Sequence, residues 1–398
     1  MLEGKKIAIG VTGGIACYKV VTLVSRLVQA GAEVRVVMTE AATKLVSPLL
    51  FKEISGAPVA YDMWRGNDEF NVEHVALGRC DLMVVAPATA NIIGKMAGGI
   101  ADDLLSTTLM ACDKPKIICP AMNTNMLNNP AVVRNLETLR RDGILIMPSG
   151  AGYLACGING AGRLPEPEDI KAYLDDFFAK RDGDLRGRRI LVTAGGTREA
   201  IDPVRFIGNR SSGKMGYAIA RDAARRGADV ILVSGPTALA VPRNVTLVPV
   251  ESTQEMLDAC LNVYDSVDAV IKAAAVADYR PHEKALQKIK KNEESLTIDL
   301  DKNPDILKLL GEKKTHQFLV GFAAETQNLI VNAAAKVQKK HLDMIVANDV
   351  TAPGAGFSTD TNIVKLLFPD GTIKEPGLMS KEDVGNLILD IVRDQTAE

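Results

Sequence analysis

Apolar residues in this chain come in short unbroken runs, and each run is stopped by small polar residues. Residues 5–16 read KKIAIGVTGGIA: two cations, an apolar run, a threonine and paired glycines. The run predicts a buried strand, and the glycines predict a turn into a helix. Apolar spacing extends that helix over 15–30, and Gly31 caps it. Further strands are predicted at 34–38, ending at Thr39, and at 81–86, ending in PATAN over 87–91. Two more fall at 116–119, ending in PAMN over 120–123, and at 144–147. Strands apolar throughout, with helices between them, predict a parallel sheet covered on both faces. Ligands of such sheets sit beyond the C-terminal strand ends. Thr12, Gly13, Gly14, Thr39, Thr89, Asn91 and Asn123 all fall there.

Residues 153–163, YLACGINGAGR, contain three glycines and no periodicity, which predicts a mobile loop. A helix follows over 168–180, and the charged, apolar-poor stretch 181–188 reads as a linker. The pattern then starts again. Strands are predicted at 189–194, 229–233, 268–273, 318–322 and 343–347, with helices at 213–227, 253–264, 304–314 and 326–340. Residues 362–367, Asp370, Gly371 and 372–373 predict a terminal hairpin. Ser380 with Asp383 predicts a cap for the last helix. The expected architecture is α/β: two three-layer αβα Rossmann-like domains with mostly parallel sheets, the second with an added β-hairpin. The expected boundaries are 1–180, a linker at 181–188, and 189–398.

Composition narrows the class. Two or three domains is the expectation for 398 residues. A net charge of -2 gives no reason to expect a nucleic-acid partner. There is no apolar run of bilayer-spanning length and no signal-peptide pattern, so a cytoplasmic location without membrane attachment is expected. Six scattered cysteines without CxxC argue against a disulfide framework or a zinc site.

GVTGGIA lacks the GxGxxG spacing of a dinucleotide fingerprint, and Thr39 stands where an acid would meet a ribose. A mononucleotide therefore fits better than a dinucleotide, with an ordinary tight strand–helix turn as the other reading. Three further motifs occur in order: PATAN at 87–91, PAMNTNM at 120–126 and ACGINGAGR at 155–163, with His74 upstream. With these, residues 5–180 resemble the flavin-dependent cysteine decarboxylases, in particular the phosphopantothenoylcysteine decarboxylase half of bifunctional coenzyme A enzymes. Leu127 stands where that family often has Trp. The resemblance implies FMN bound by Gly13, Gly14, Ile15, Thr39, Thr89, Asn91 and Ser106. It implies that His74 acts at thiol oxidation and decarboxylation, that Asn123 holds the substrate carboxylate, and that Cys156 protonates the enethiol product.

The second half has a glycine loop, TAGGTREAIDP at 193–203, followed by IGNRSSGKMG at 207–216. It is not a Walker loop, but its hydroxyls and helix start make a phosphate cradle. IKAAAVADY at 271–279 places Asp278 in an alanine-rich loop. KIKK at 288–291, GFAAET at 321–326 and AND at 347–349 are further strand-end or basic segments. These loops resemble the phosphopantothenate–cysteine ligase half of the same enzymes, over 186–398. The resemblance implies CTP as the activating nucleotide, an acyl-cytidylate held by Asn209, and Lys288 assisting amide formation. It implies Asp278 holding Mg2+ or Mn2+, with Ser211, Ser212, Ala275, Lys290 and Phe322 as substrate contacts. It further implies a homo-oligomer, trimeric through the flavin domains and dimeric through the ligase domains, which could build a dodecamer. Three other readings compete: a decarboxylase alone with a nucleotide-binding second domain, a regulatory flavoprotein, and an NAD(P) oxidoreductase. Asn209, Asp278, Lys288 and Cys156 speak against the first two, and the missing GxGxxG against the third.

Overall fold

In the computed structural model the chain forms two compact units, Met1–Phe178 and Ala179–Glu398. The structure describes residues 2–64, 73–153, 159–290, 296–325, 329–349 and 360–396.

The first unit is built on six parallel strands: β1 (Lys6–Val11), β2 (Glu33–Met38), β3 (Val59–Ala60), β4 (Leu82–Ala88), β5 (Lys116–Pro120) and β6 (Leu145–Ile146). Their spatial order is β3-β2-β1-β4-β5-β6. All seven residues of β4 are buried, as a strand covered on both faces must be. One face is covered by the helix Cys17–Gln29, whose Val20, Leu23, Val24 and Leu27 repeat at helical spacing and meet Ile7, Ile9 and Phe178. The other face carries Ile92, Ile93, Leu104, Leu105 and Leu136. The two-residue β3 escaped the sequence reading because two residues show no periodicity.

Residues 159–163, expected within a mobile loop, instead form a strand. An antiparallel hairpin joins β7 (Gly150–Tyr153) to β8 (Asn159–Arg163). The strand has no apolar alternation because close backbone approach, not burial, holds it. A Cβ on Gly162 would lie 2.1 Å from the Met122 carbonyl oxygen, and one on Gly160 2.4 Å from Thr124 Oγ1. With both side chains absent, the Met122 N–H donates to the Gly162 carbonyl at 2.9 Å. Thr124 Oγ1 donates to the Ala161 carbonyl at 2.8 Å.

The second unit has an eight-stranded sheet and two small hairpins. Its strands in chain order are β9 (Arg189–Ala194), β10 (Arg198–Ala200), β11 (Phe206–Gly208), β12 (Asp229–Ser234), β13 (Val245–Pro249), β14 (Ala269–Lys272), β15 (Tyr279–Pro281), β16 (Leu300–Lys302), β17 (Phe318–Glu325), β18 (Met344–Asp349), β19 (Thr361–Leu367) and β20 (Ile373–Ser380). The sheet runs β13-β12-β9-β14-β17-β18-β19-β20; β10 pairs with β11 and β15 with β16. Six strands are parallel, and β19 and β20 add the antiparallel hairpin at one edge. Without that hairpin, both sheets have the same order and reverse direction beside their first strand, between β1 and β4 and between β9 and β14. The helix expected at 326–340 is described as Leu329–Lys339, with 326–328 outside the described residues. Ser380 caps the last helix, its Oγ accepting the Asp383 N–H at 3.0 Å.

The helix Pro167–Asp182 runs into the stretch read as a linker. Within that stretch Leu185 is fully buried in the second unit's core. Asp184 takes two hydrogen bonds from Arg226, at 2.9 and 2.6 Å. One leucine in a charged run gave no periodic signal of that anchorage.

Two candidate ligand sites at the strand ends

In the first unit a cavity of about 640 Å³ opens beyond the ends of β1, β4 and β5. Gly13, Gly14, Ile15, Lys19, Thr89, Met122, Asn123 and Arg163 are among its lining residues. Close packing demands the first glycine and favours the second. A Cβ on Gly13 would sit 2.5 Å from Ala41 Cβ, and one on Gly14 3.3 Å from Pro87 and Thr89. Thr12 ties the floor together: its Oγ1 donates to the Pro87 carbonyl at 2.6 Å and accepts the Thr89 N–H at 3.3 Å. The helices Cys17–Gln29 and Ala90–Gly98 start here, and neither N-cap residue makes a side-chain capping bond. Their first N–H groups are the kind that bind phosphate. Ile15 and Tyr18 border the cavity while 64% and 61% exposed, apolar surface suited to a flat ring system. Asn123 caps the helix Thr124–Leu127, its Oδ1 accepting the Asn125 N–H at 2.8 Å.

Gly13, Gly14, Ile15, Thr89 and Asn123 are thus brought to one cavity. Four expected residues do not line it. Thr39 caps the helix Glu40–Thr43 through the Ala42 N–H, beside the Ala41 that underlies Gly13. Asn91 is exposed on the first turn of Ala90–Gly98. His74 is half-buried on the helix Glu73–Gly78. Ser106 is buried in a reciprocal cap with Asp103. Burial works to raise the Asp103 carboxyl, but Lys95 and Ser106 outweigh it and hold it low. Cys156 lies outside the described residues.

Sequence reasoning missed a charge cluster on the cavity wall. Lys19, with a side chain only 10% exposed, and Arg163 both donate to Glu166 Oε1, at 2.9 and 2.8 Å. The available signal was a lysine inside the apolar stripe of the first helix.

In the second unit a cavity of about 490 Å³ lies at the corresponding place. Its lining includes Asn209, Ser211, Ser212, Ala275, Asp278 and Phe322, all expected. The helix Lys214–Arg225 starts at its edge, with Gly213 as N-cap at φ +77°, where a side chain is strained. Asn209 is exposed and donates from Nδ2 to the Val276 carbonyl at 2.9 Å, joining its loop to the alanine-rich loop. Gly195 and Gly196 do not line the cavity. Their missing Cβ atoms make room for the carbonyl oxygens of Gly235 and Asn209, at 2.8 and 2.9 Å. Lys288 and Lys290 are exposed and do not line it either.

Arg210, Lys214, Lys272, Lys336 and Lys381 line the cavity against Asp278, a strongly cationic wall. Lys214 is 2.7 Å from Asp360. Burial, helped by Lys340, pushes the Lys272 ammonium down to about 8. The buried Oδ1 of Asn348 has no partner among the described residues and can accept a hydrogen bond from a ligand. Lys272 was legible only as a charge ending the apolar run AVIK, and Lys381 gave no signal at all. Among the described residues no group of three or more His, Cys, Asp or Glu side chains could hold a metal. No helix among them is long and apolar enough to cross a membrane.

The fold and sites define a protein with two nucleotide-type α/β units, each with a ligand cavity at its topological switch point. Comparison with known proteins takes this further. The family model described as Flavoprotein matches residues 1–179, and that of the DNA/pantothenate metabolism flavoprotein C-terminal domain matches 185–395. The coenzyme A biosynthesis bifunctional protein CoaBC of Bacillus subtilis is 50% identical over 98% of this chain and 97% of its own. Its Vibrio cholerae namesake is 45% identical over 99% of each. A crystal structure of the C-terminal domain of a CoaBC protein is 49% identical, covering 54% of this chain and 97% of its own, with a TM-score of 0.47. The chain belongs to the family of bifunctional coenzyme A biosynthesis flavoproteins. It is a bifunctional enzyme, with the decarboxylase domain N-terminal and the ligase domain C-terminal.

Proposed function

We propose that this chain makes 4′-phosphopantetheine from 4′-phosphopantothenate and cysteine, with FMN in the first unit and CTP consumed in the second. The observation that carries this reading is the contrast between the cavities, one glycine-floored and largely apolar, the other lined by five cations. In this reading residues 1–180 are the decarboxylase, 181–188 the connection and 189–398 the ligase, acting in the cytoplasm as a homo-oligomer, a dodecamer if trimer and dimer contacts combine.

The ligase acts first. The carboxylate of 4′-phosphopantothenate attacks the α-phosphorus of CTP, and pyrophosphate leaves. The cysteine amine then attacks the acyl carbon, the amine proton is lost, and CMP leaves. A carboxylate oxygen is a poor leaving group until it is phosphorylated, which is why a nucleotide is spent. The helix start at Gly213, Ser211 and Ser212, with Lys214, Lys336 and Lys381, would take the phosphates. Asn209 would hold the acyl-cytidylate and Lys288 assist amide formation, with Ala275, Lys290 and Phe322 as further contacts. Mg2+ fits without a protein cage: it is commonly held by one carboxylate, here Asp278, together with substrate phosphates.

The decarboxylase acts second. Gly13, Gly14, Ile15 and Thr89 would hold FMN, with Thr39, Asn91 and Ser106 as the remaining contacts. Both glycines line the cavity, and without Cβ atoms the turn packs closely against Ala41, Pro87 and Thr89. A bound flavin supplies the two-electron sink that turns the cysteinyl thiol carbon into an acceptor for the electrons released with CO2. Asn123 would hold the departing carboxylate, His74 take the thiol proton, and Cys156 protonate the enethiol carbon.

The test is one incubation: protein, 4′-phosphopantothenate, cysteine, Mg2+ and either CTP or ATP, with products read by mass. 4′-Phosphopantetheine and CMP are expected with CTP. Formation of the cysteine conjugate without loss of CO2 would leave only the ligase; equal use of ATP would remove the nucleotide assignment.

A further inference from the structure

Lys288 and Lys290 present a problem. They stand on the irregular stretch between β15 and β16, exposed and off the cavity wall. A lysine on such a stretch samples many positions, and ordering it for one task costs conformational entropy. The structure contains a device that reduces this cost. Asp202, only 2% exposed, closes the turn before β11, its Oδ1 accepting the N–H groups of Val204 and Arg205, both at 2.8 Å. Its Oδ2 accepts Arg205 Nε at 3.0 Å and the Ile289 N–H at 3.1 Å. Arg205 Nη2 lies 2.7 Å from Oδ2 and donates to the Ile289 carbonyl at 2.6 Å. The buried Asp202 carboxylate and the partly exposed Arg205 guanidinium together grip both polar groups of the residue that separates Lys288 from Lys290. A second tie joins the same stretches, the Ala285 N–H donating to the Ile201 carbonyl at 3.0 Å.

We infer that Asp202 is a positioning residue for the ligase reaction: through Ile289 it fixes the backbone that carries Lys288 and Lys290, and so sets the rate of the step Lys288 assists. The inference rests on the role proposed above for Lys288. Asp202 touches no cavity-lining group directly among its hydrogen bonds, so its effect is indirect and confined to that step.

Two variants test it. Asp202→Asn removes the charge that holds Arg205 and turns an amide NH2 toward N–H donors. Ile289→Pro removes the Ile289 N–H and leaves the Asp202 turn intact. Because its ring also restricts Lys288, Ile289→Ala, which loses the side chain and keeps the N–H, is its control, and the pair decides the matter if Asp202→Asn does not fold. In single-turnover assays Asp202→Asn and Ile289→Pro are both expected to release pyrophosphate within about twofold of the unaltered protein. Amide formation should slow at least tenfold, as befits a lost charge-assisted hydrogen bond, with acyl-cytidylate accumulating. The KM for CTP should stay constant while kcat falls. Asp202→Asn combined with Lys288→Gln should be no slower than Lys288→Gln alone, because both act through the same group. A merely structural role predicts otherwise: equal loss in both half-reactions, or effects that multiply. Either of those results overturns the inference, as does unaltered amide formation in both variants. If Lys288→Gln itself forms amide at the unaltered rate, the Lys288 assignment falls, and that control separates the two failures.

Discussion

The two units reach the same strand order and place a cavity at the same topological point, yet they treat their first glycine turn oppositely. In the first unit Gly13 and Gly14 are the cavity floor. In the second, Gly195 and Gly196 lie against the Gly235 and Asn209 carbonyls, and the ligand surface moves to the loop and helix start at 209–216. Charge differs in the same sense. The first cavity is lined by two cations, Lys19 and Arg163, which share Glu166, whereas the second is lined by five, one of which, Lys214, pairs with Asp360. In the function proposed above, a retained, largely flat ligand would be met by backbone and apolar surface. The consumed polyanion would be met by cations from a loop, a strand end and three helices, which can release it once its charge is divided between products.

This contrast can be broken experimentally. The largest expected effect is from Gly13→Val, whose side chain would collide with Ala41. The purified protein should be colourless, with decarboxylation lost by more than about 100-fold and ligation intact; a yellow, active variant would show that the floor is not the flavin cradle. Asn209→Asp puts a carboxylate where the nucleotide's charge is expected, against the Val276 carbonyl it now donates to. Ligation should fall by about 100-fold, as for loss of a preorganised donor, while decarboxylation of supplied phosphopantothenoylcysteine continues. Joint loss of both would deny that the units work separately. Raising salt from 50 to 300 mM should increase the KM for CTP several-fold and leave decarboxylation nearly unchanged. Equal sensitivity would remove the electrostatic distinction.

Lys272 gives the smallest and most specific effect. Its folded value of about 8 lies below the unfolded value of about 10.4. Between these the unfolded chain binds the extra proton, so stability rises with pH across that window, and below pH 8 the buried charge is a full penalty. Lys272→Met should therefore raise Tm by a few degrees at pH 7, with the gain shrinking toward pH 10. A gain independent of pH would trace the effect to packing alone.

Much of the frame was legible because it is driven by burial. Strands such as β4 and β9 are continuous apolar runs, and their ends mark the switch points. Legibility failed where backbone approach replaces burial, as at Gly160 and Gly162, whose strand has no side chains to alternate. It failed where one residue carries an anchorage, as with Leu185. Site residues chosen from strand-end loops reached the cavities: Gly13, Gly14, Asn123, Asn209 and Asp278. Ser106, buried in its cap, and Thr39, turned into its own, did not, whereas Asn123 caps a helix and still lines its cavity. Lys19 and Lys381 stand in the first turns of helices and Lys272 ends a strand, and only the fold brings them to a cavity wall.

The outermost strand, β20, is exposed over Ile373–Ser380 apart from its last two residues. Such an edge invites another chain to zip onto it and seed aggregates. Lys374 and Glu375 put charges on the strand, Pro376 removes an N–H donor, and Gly377 turns the backbone to φ +85°. A continuous intermolecular ladder is blocked midway along the rim. The rim is therefore built against the addition of a second copy of the same edge.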